Sequence, residues 1–348
     1  MILESVRDDP LWDHLEVTIS RHPRPATAAD VARAAGVSRA TVSHIFNGRA
    51  GRFPEATKER VRAAAASLDY RPSPAGRSLV TGRSETIVVV VPNTTLGPNI
   101  QEALERITAR MGADTNVVLR FAAADPETTI NAILKLRPFA VVDLGSIAGA
   151  HRDRLVAQGV PCLPDHTRPT RADGLPLQDA IAQRQVAELL KRGQRRIVYG
   201  SLADGRSDSY GPARLAGVRK ACAAHGVAPP LCIEVVPEVD ATVSALRSLD
   251  AAPVGVAAYN DTVALAVLSA AGRIGLRVPD RLSVIGMDNT DVGRLWRPQL
   301  TTIDVNVDAL VDDIFAQLGA ELGSHQGPGD TRDTTPAPLL TLVPGEST

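Results

Sequence analysis

Near the N-terminus, apolar positions recur at helical spacing: Val31, Ala32 and Ala35 share one face of a segment that opens at Thr27 and closes at Gly36. Thr27 suits an N-cap, and Asp30, three residues on, favours the positive end of the helix dipole. Gly36 ends the helix because glycine enters the left-handed conformation without steric cost. Val37 then turns inward, Ser38 caps a second helix, and Val42, Ile45 and Phe46 repeat at i, i+3 and i+4. A third helix is predicted over residues 54–68, with Pro54 in its first turn and Val61, Ala65 and Leu68 on one face. Ser73 can cap a further short helix, which is marginal alone because it is under two turns and contains Gly76.

Beyond Thr86 the texture changes. Apolar, β-rich runs at 86–91, 116–121, 139–144, 196–200, 254–259 and 282–287 alternate with helical stretches such as 99–111, 208–225 and 261–274. Alternation of this kind predicts parallel sheets covered on both faces. More than two hundred residues of it predict two lobes, with ligands held between them at the carboxyl ends of strands.

Charge sharpens the picture of the first segment. The chain of 348 residues carries a net charge of −1, yet between Arg21 and Glu85 twelve Lys and Arg face five acids, an excess of seven. That basic block coincides with the helix pair and is the electrostatic footprint of a DNA-binding module. On the second helix Arg39, Ala40, Thr41, Ser43, His44 and Asn47 are left outward, a set suited to base edges and phosphates. A tight turn between two helices places the second in the major groove.

Other classes find little support. Cys162, Cys222 and Cys232 are widely spaced, so neither a disulfide framework nor a zinc site is expected, consistent with the cytoplasm. No apolar run reaches transmembrane length, and the acidic start is unlike a signal peptide. The phosphate loops and nucleophile or zinc motifs of common enzymes are absent, so no catalytic residue, metal or cofactor is expected. A solute receptor would not explain residues 26–79. A sugar kinase with a DNA-binding head would need a phosphate motif and a cysteine-rich loop that the chain lacks.

The segments DVARAAGVSRATVSHIFNG, TKERVRAAAASLDYRPSPAGRSLVTGRS and YNDTVALAVLSAAGRIGLRVPDRLSVIGMDNTDVGRLWRPQLTTIDV resemble the lactose-repressor (LacI) family of bacterial transcription regulators, in order from about Thr27 to Val343. The resemblance implies a three-helix helix-turn-helix head joined to a two-lobed α/β domain like the periplasmic binding proteins. Expected boundaries are an N-terminal extension over 1–23, the head over 24–71, a hinge helix and linker over 72–84, and an effector-binding and dimerisation domain over 85–348. It implies base reading by Arg39, Ala40 and His44, with Thr27, Ser38, Thr41, Ser43, Asn47, Ser73 and Gly76 as further DNA contacts. Leu79 matches the hinge leucine that wedges into the minor groove. For the effector it implies Asn93, Arg214, Asn260, Asp288 and Trp296, whereas Asp261 is expected to cap the helix that follows it.

The chain departs from the family pattern in three places. His44 stands where arginine is usual, Gly76 replaces a more helix-favouring residue, and PNTTLGPNI lacks the Asp and paired aromatics common after the first strand. The later ligand-binding Asp falls around Leu177–Ala180, with Asp179 aligning only with a shift. The function implied is a cytoplasmic, dimeric repressor of a palindromic operator, controlled by a small polar effector such as a sugar derivative. Its alternative is a regulator with a degenerate pocket. The tail after Leu322 has no heptads, which favours a dimer over a coiled-coil tetramer.

Overall fold

The computed structural model describes residues 24, 26–46, 50–71, 84–94, 97–112, 115–165, 175–203, 210–249, 253–321 and 338–348. The chain divides into two compact units between Ser84 and Glu85.

The first unit holds α1 (Ala28–Ala35), α2 (Arg39–Phe46), a short 3-10 turn over Ala50–Arg52 and α3 (Glu55–Ser67). Its small core is Val31, Ala32, Ala35, Val42, Ile45, Val61 and Ala65, flanked by Phe46, Phe53 and Tyr70. Thr27 and Asp30 form a reciprocal capping box, and Gly36 ends α1 at φ 64°, in the left-handed region. Ser38 Oγ accepts from the Thr41 N–H at 3.0 Å, so α2 starts where the pattern places it. Two details differ in α3. Pro54 precedes the helix as its N-cap, and Leu68, expected on the core face, follows the last turn and stays exposed.

The second unit has two parallel sheets. β1 (Thr86–Val91), α4 (Pro98–Met111), β2 (Asn116–Phe121), α5 (Pro126–Leu136), β3 (Ala140–Asp143), α6 (Gly149–Ala157) and β4 (Cys162–Leu163) build a sheet of order β2-β1-β3-β4. α7 (Leu177–Lys191), β5 (Ile197–Leu202), α8 (Tyr210–Ala224), β6 (Leu231–Val235), α9 (Val239–Arg247), β7 (Val254–Ala258), α10 (Asp261–Arg273) and β8 (Leu282–Ile285) build a second, of order β6-β5-β7-β8. There follow α11 (Asp291–Leu295), β9 (Thr302–Val305), α12 (Val307–Glu321) and β10 (Leu340–Val343), with β9 and β10 antiparallel.

β1 shows why its sequence is an unbroken apolar run. Ile87 and Val89 pack with Ile107 of α4 and with Val311, Ile314 and Leu318 of α12. Val88 and Val90, pointing the other way, pack with Ile130 and Ile133 of α5 and Leu155 of α6. Both faces are covered, as a central parallel strand requires. β2 corrects the expectation that every strand is so covered: it is an edge strand, and Leu119 and Phe121 are exposed at 51% and 59%. β9 and β10 join the core of the second lobe through Ile303 and Leu340, whereas α12 belongs to the first. The chain therefore crosses back between lobes at Asn306, whose Oδ1 accepts from the Ala309 N–H at 3.0 Å at the start of α12. Among the described residues no helix is long and apolar enough to cross a membrane.

Candidate nucleic-acid interface and ligand cleft

On α2 the residues that precede and begin the helix, Ser38, Arg39 and Ala40, are exposed, while Thr41, Ser43 and His44 are half-buried. Ala40, Thr41 and His44 lie at i, i+1 and i+4, on one side of the helix. The Ser38 and Thr41 hydroxyls are 2.9 Å apart, so both are engaged in starting the helix as well as lying on its outer surface. Thr27 is committed in the same way: its hydroxyl donates to Asp30 Oδ2 at 2.6 Å. The Asp30 carboxyl is held below its usual range by the Thr27 hydrogen bonds, with help from Arg24 and Arg33. Asn47, Ser73, Gly76 and Leu79 lie outside the described residues.

The sequence does not indicate what holds His44. Arg52, in the turn after α2, places Nη2 2.7 Å from His44 Nδ1. The imidazole stacks on Phe53 with centroids 6.3 Å apart and 27° between planes, and the Arg52 guanidinium lies 5.5 Å from the same ring.

In the second unit, the ends of β1, β3, β7 and β8 bring the cleft residues together. Arg214, on α8, is 7% exposed. Its Nε donates to Gln178 Oε1 at 2.7 Å and its Nη1 to the Tyr259 carbonyl. The guanidinium also lies over the rings of Tyr259 and Tyr210, at 4.6 and 5.7 Å from their centroids. Asp288 follows β8 at φ 115°, a strained conformation held by its N–H donating to the Ile303 carbonyl at 3.0 Å. Burial pushes its carboxyl up to about 7; the Arg214 charge opposes this and the Asp261 charge adds to it.

The two lobes touch here. Asn99 Nδ2, on α4, donates to Asp288 Oδ1 at 3.0 Å, and a Cβ on Gly97 would come within 3.1 Å of Asp288 Oδ2. Tyr210 of the second lobe donates its hydroxyl to the Leu144 carbonyl of the first, and its ring covers Gly145 where a Cβ would clash.

Asn260, and not Asp261 as expected, caps α10. Asn260 is the N-cap of α10, its Oδ1 accepting from the Val263 N–H at 3.0 Å, so its carbonyl is already used within the fold. Asp261, fully buried, instead accepts from the Thr290 N–H at 2.7 Å, the Thr290 hydroxyl at 3.0 Å and the Thr302 hydroxyl at 2.6 Å. It ties the loop after β8 to β9. Gly286 is required beside it, because a Cβ there would lie 2.1 Å from Asp261 Oδ1. Asp179 pairs with Lys220 at 2.7 Å on the α7–α8 contact. Trp296 packs against the second-lobe core at the end of α11.

In the first lobe Asn93 is exposed and lines a cavity of about 90 Å³ with Ala122, Thr129, Ser146 and His151. Among the described residues, Thr94 Oγ1 and Ser146 Oγ, at the ends of β1 and β3, are buried without a hydrogen-bond partner. Buried hydroxyls are ordinarily paired, so these two stand out in the fold. They do not stand out in the sequence; their only signal is position, directly after an apolar strand run.

Two family models match the chain: bacterial regulatory proteins of the lacI family over residues 27–73, and the periplasmic binding protein-like domain over residues 186–348. The HTH-type transcriptional repressor PurR of Photobacterium profundum is 30% identical over 301 residues, covering 80% of this chain and 86% of that protein. The HTH-type transcriptional repressor CytR of Escherichia coli is 30% identical over 297 residues, covering 80% and 84%. The fold matches the crystal structure of the lac repressor dimer bound to operator and the anti-inducer ONPF. The TM-score is 0.70 at 24% identity, covering 93% of this chain and 99% of that one.

Proposed function

The chain belongs to the LacI family of bacterial regulatory proteins, and on that footing we propose that it is a cytoplasmic repressor binding a palindromic operator as a homodimer. A small polar effector held between the lobes sets its affinity. Relatives of this family named as repressors support the direction of control. The observation that carries the proposal is the joint presence of two features. One is an α2 whose exposed N-terminal end presents Arg39 and Ala40; the other is a two-lobed domain with Arg214 and Asp288 at the lobe contact.

Expected domain limits are the head over 24–71, the hinge and linker over 72–84 and the effector domain over 85–348, with Leu79 as the minor-groove wedge. A second copy of the chain fits the outer edges of the effector domain: Leu119 and Phe121 on β2 and Leu231 on β6 are exposed apolar side chains on edge strands. Burying such edges between copies also removes unpaired strand edges from solvent.

Duplexes selected from a randomised pool by the full-length protein test the operator reading. Enrichment of a two-fold symmetric site supports it, and no enrichment overturns it. Arg39→Ala is expected to relax preference at one base pair in each half-site, at a cost of about 1–3 kcal/mol, measured by titrating single-base variants of the selected site. Equal affinity losses on every variant would remove Arg39 from base reading.

One observation favours effector-independent binding instead: the chain's own groups already engage Nε and Nη1 of Arg214 and Oδ1 of Asp288. A thermal-shift screen against sugars, sugar phosphates, nucleobases and small acids separates the two. An effector raises Tm for the wild type and not for Arg214→Ala; the effector-independent protein responds to none.

A further inference from the structure

We propose that Arg52, which lies outside both helices of the helix-turn-helix, is a positioning residue for operator recognition that fixes the imidazole of His44 as a hydrogen-bond donor. This rests on α2 being the operator-reading helix. The two residues meet at 2.7 Å, from Arg52 Nη2 to His44 Nδ1.

A guanidinium can only donate, so Nδ1 must supply the lone pair. A doubly protonated ring has none to supply and would also set like charge against the guanidinium. The contact therefore selects the neutral ring, with its single proton on Nε2. Phe53 sets the plane in which this happens. The imidazole stacks on it at 27°, and the Arg52 guanidinium lies 5.5 Å from the same ring centroid, so one aromatic face seats both partners.

The chemical consequence is directional. A free neutral histidine exchanges between two tautomers and offers either a donor or an acceptor at a given ring nitrogen. With Nδ1 accepting from Arg52, the imidazole proton of His44 lies on Nε2. That suits a base edge of acceptors, and in the major groove guanine presents two, N7 and O6, where cytosine presents a donor. His44 stands one turn after Ala40 and beside Thr41 on α2.

Two measurements on the full chain test the proposal. The first is the imidazole nitrogen spectrum of histidine-labelled protein without DNA, with the His44 signals assigned by their loss in His44→Asn. The wild type is expected to show the Nε2–H pattern, and Arg52→Ala to shift it toward the averaged mixture of tautomers. An unchanged pattern overturns the proposal.

The second is duplex selection followed by titration. His44→Ala and Arg52→Ala are expected to lose discrimination at the same base pair, each by roughly ten- to hundredfold. A phosphate contact by Arg52 would behave differently: every sequence would weaken alike, and the salt slope would fall by about one. That result overturns the proposal. A wild-type protein that enriches no sequence removes the operator reading itself, whereas the nitrogen spectrum still decides whether Arg52 holds the tautomer.

Discussion

Asp288→Asn is expected to stabilise the effector domain at pH 8 by about 2–4 kcal/mol and to flatten its stability between about pH 4 and 7. The folded carboxyl titrates at about 7 because burial disfavours its charge, and Asp261 adds to that effect. An unfolded Asp ionises near pH 3.9, so between about pH 4 and 7 the native state binds more protons than the unfolded one. The stability that this difference contributes is whole below about pH 4 and is lost as pH rises through 7. A gap of about three pK units corresponds to about 4 kcal/mol, and because Asp288 is not wholly buried that figure is an upper one. Asparagine keeps an oxygen to accept from Asn99 and carries no charge to bury. Urea titrations at pH 5 and pH 8 are the check. Wild type should lose stability between them and the variant should not; parallel curves would show that Asp288 ionises freely.

The same titration bears on the cleft. Below pH 7 Asp288 can donate a proton to a ligand's acceptor, and above it accepts only. Tyr210 and Asn99 join the lobes at this point, so a group that enters must exchange their contacts for its own. A ligand that favours one arrangement of the lobes by about 5.5 kcal/mol over the other would switch the population almost fully.

Asp261→Ala is expected to cost about 3–5 kcal/mol, the larger share coming from donors left buried without an acceptor. Three donors converge on this carboxylate, the Thr290 N–H and the hydroxyls of Thr290 and Thr302. Burial raises its pKa, and those hydrogen bonds oppose the rise, which keeps the loop after β8 fixed to β9. Asp288 sits in that loop, so loss of the clamp should also weaken any ligand that needs Asp288. The check is the urea midpoint of Asp261→Ala at pH 7. A loss under about 1 kcal/mol would mean that the threonines find other partners.

Much of the head is legible in the sequence because its signals are local. Thr27, Gly36 and Ser38 act within four residues of themselves, and the structure places each at the helix end it suits. The central strands are legible for a similar reason: a strand buried on both faces, such as Thr86–Val91, is apolar at every position after its first. Legibility fails where neighbours far along the chain decide. Asn260 and Asp261 are adjacent and either can cap a helix; only Thr290 and Thr302, brought in by the fold, assign Asp261 to the other task. β4 is two residues long and the edge strand β6 alternates exposed with buried positions, so neither stands out as an apolar run. Asp179 is taken by Lys220, forty-one residues away. The Arg52–His44 contact depends on how the turn after α2 folds back, which residue spacing does not encode.

The most direct measurement of operator control is an anisotropy titration of a selected palindrome, its single half-site and a scrambled duplex with the full-length protein at several salt concentrations. Two chains should bind each palindrome, with the half-site and scrambled duplex far weaker. For about 6–10 phosphate contacts, affinity should fall about 10³–10⁵-fold between about 50 and 200 mM salt. Equal affinity for all three duplexes, or one chain bound per palindrome, would contradict dimeric, sequence-specific operator binding.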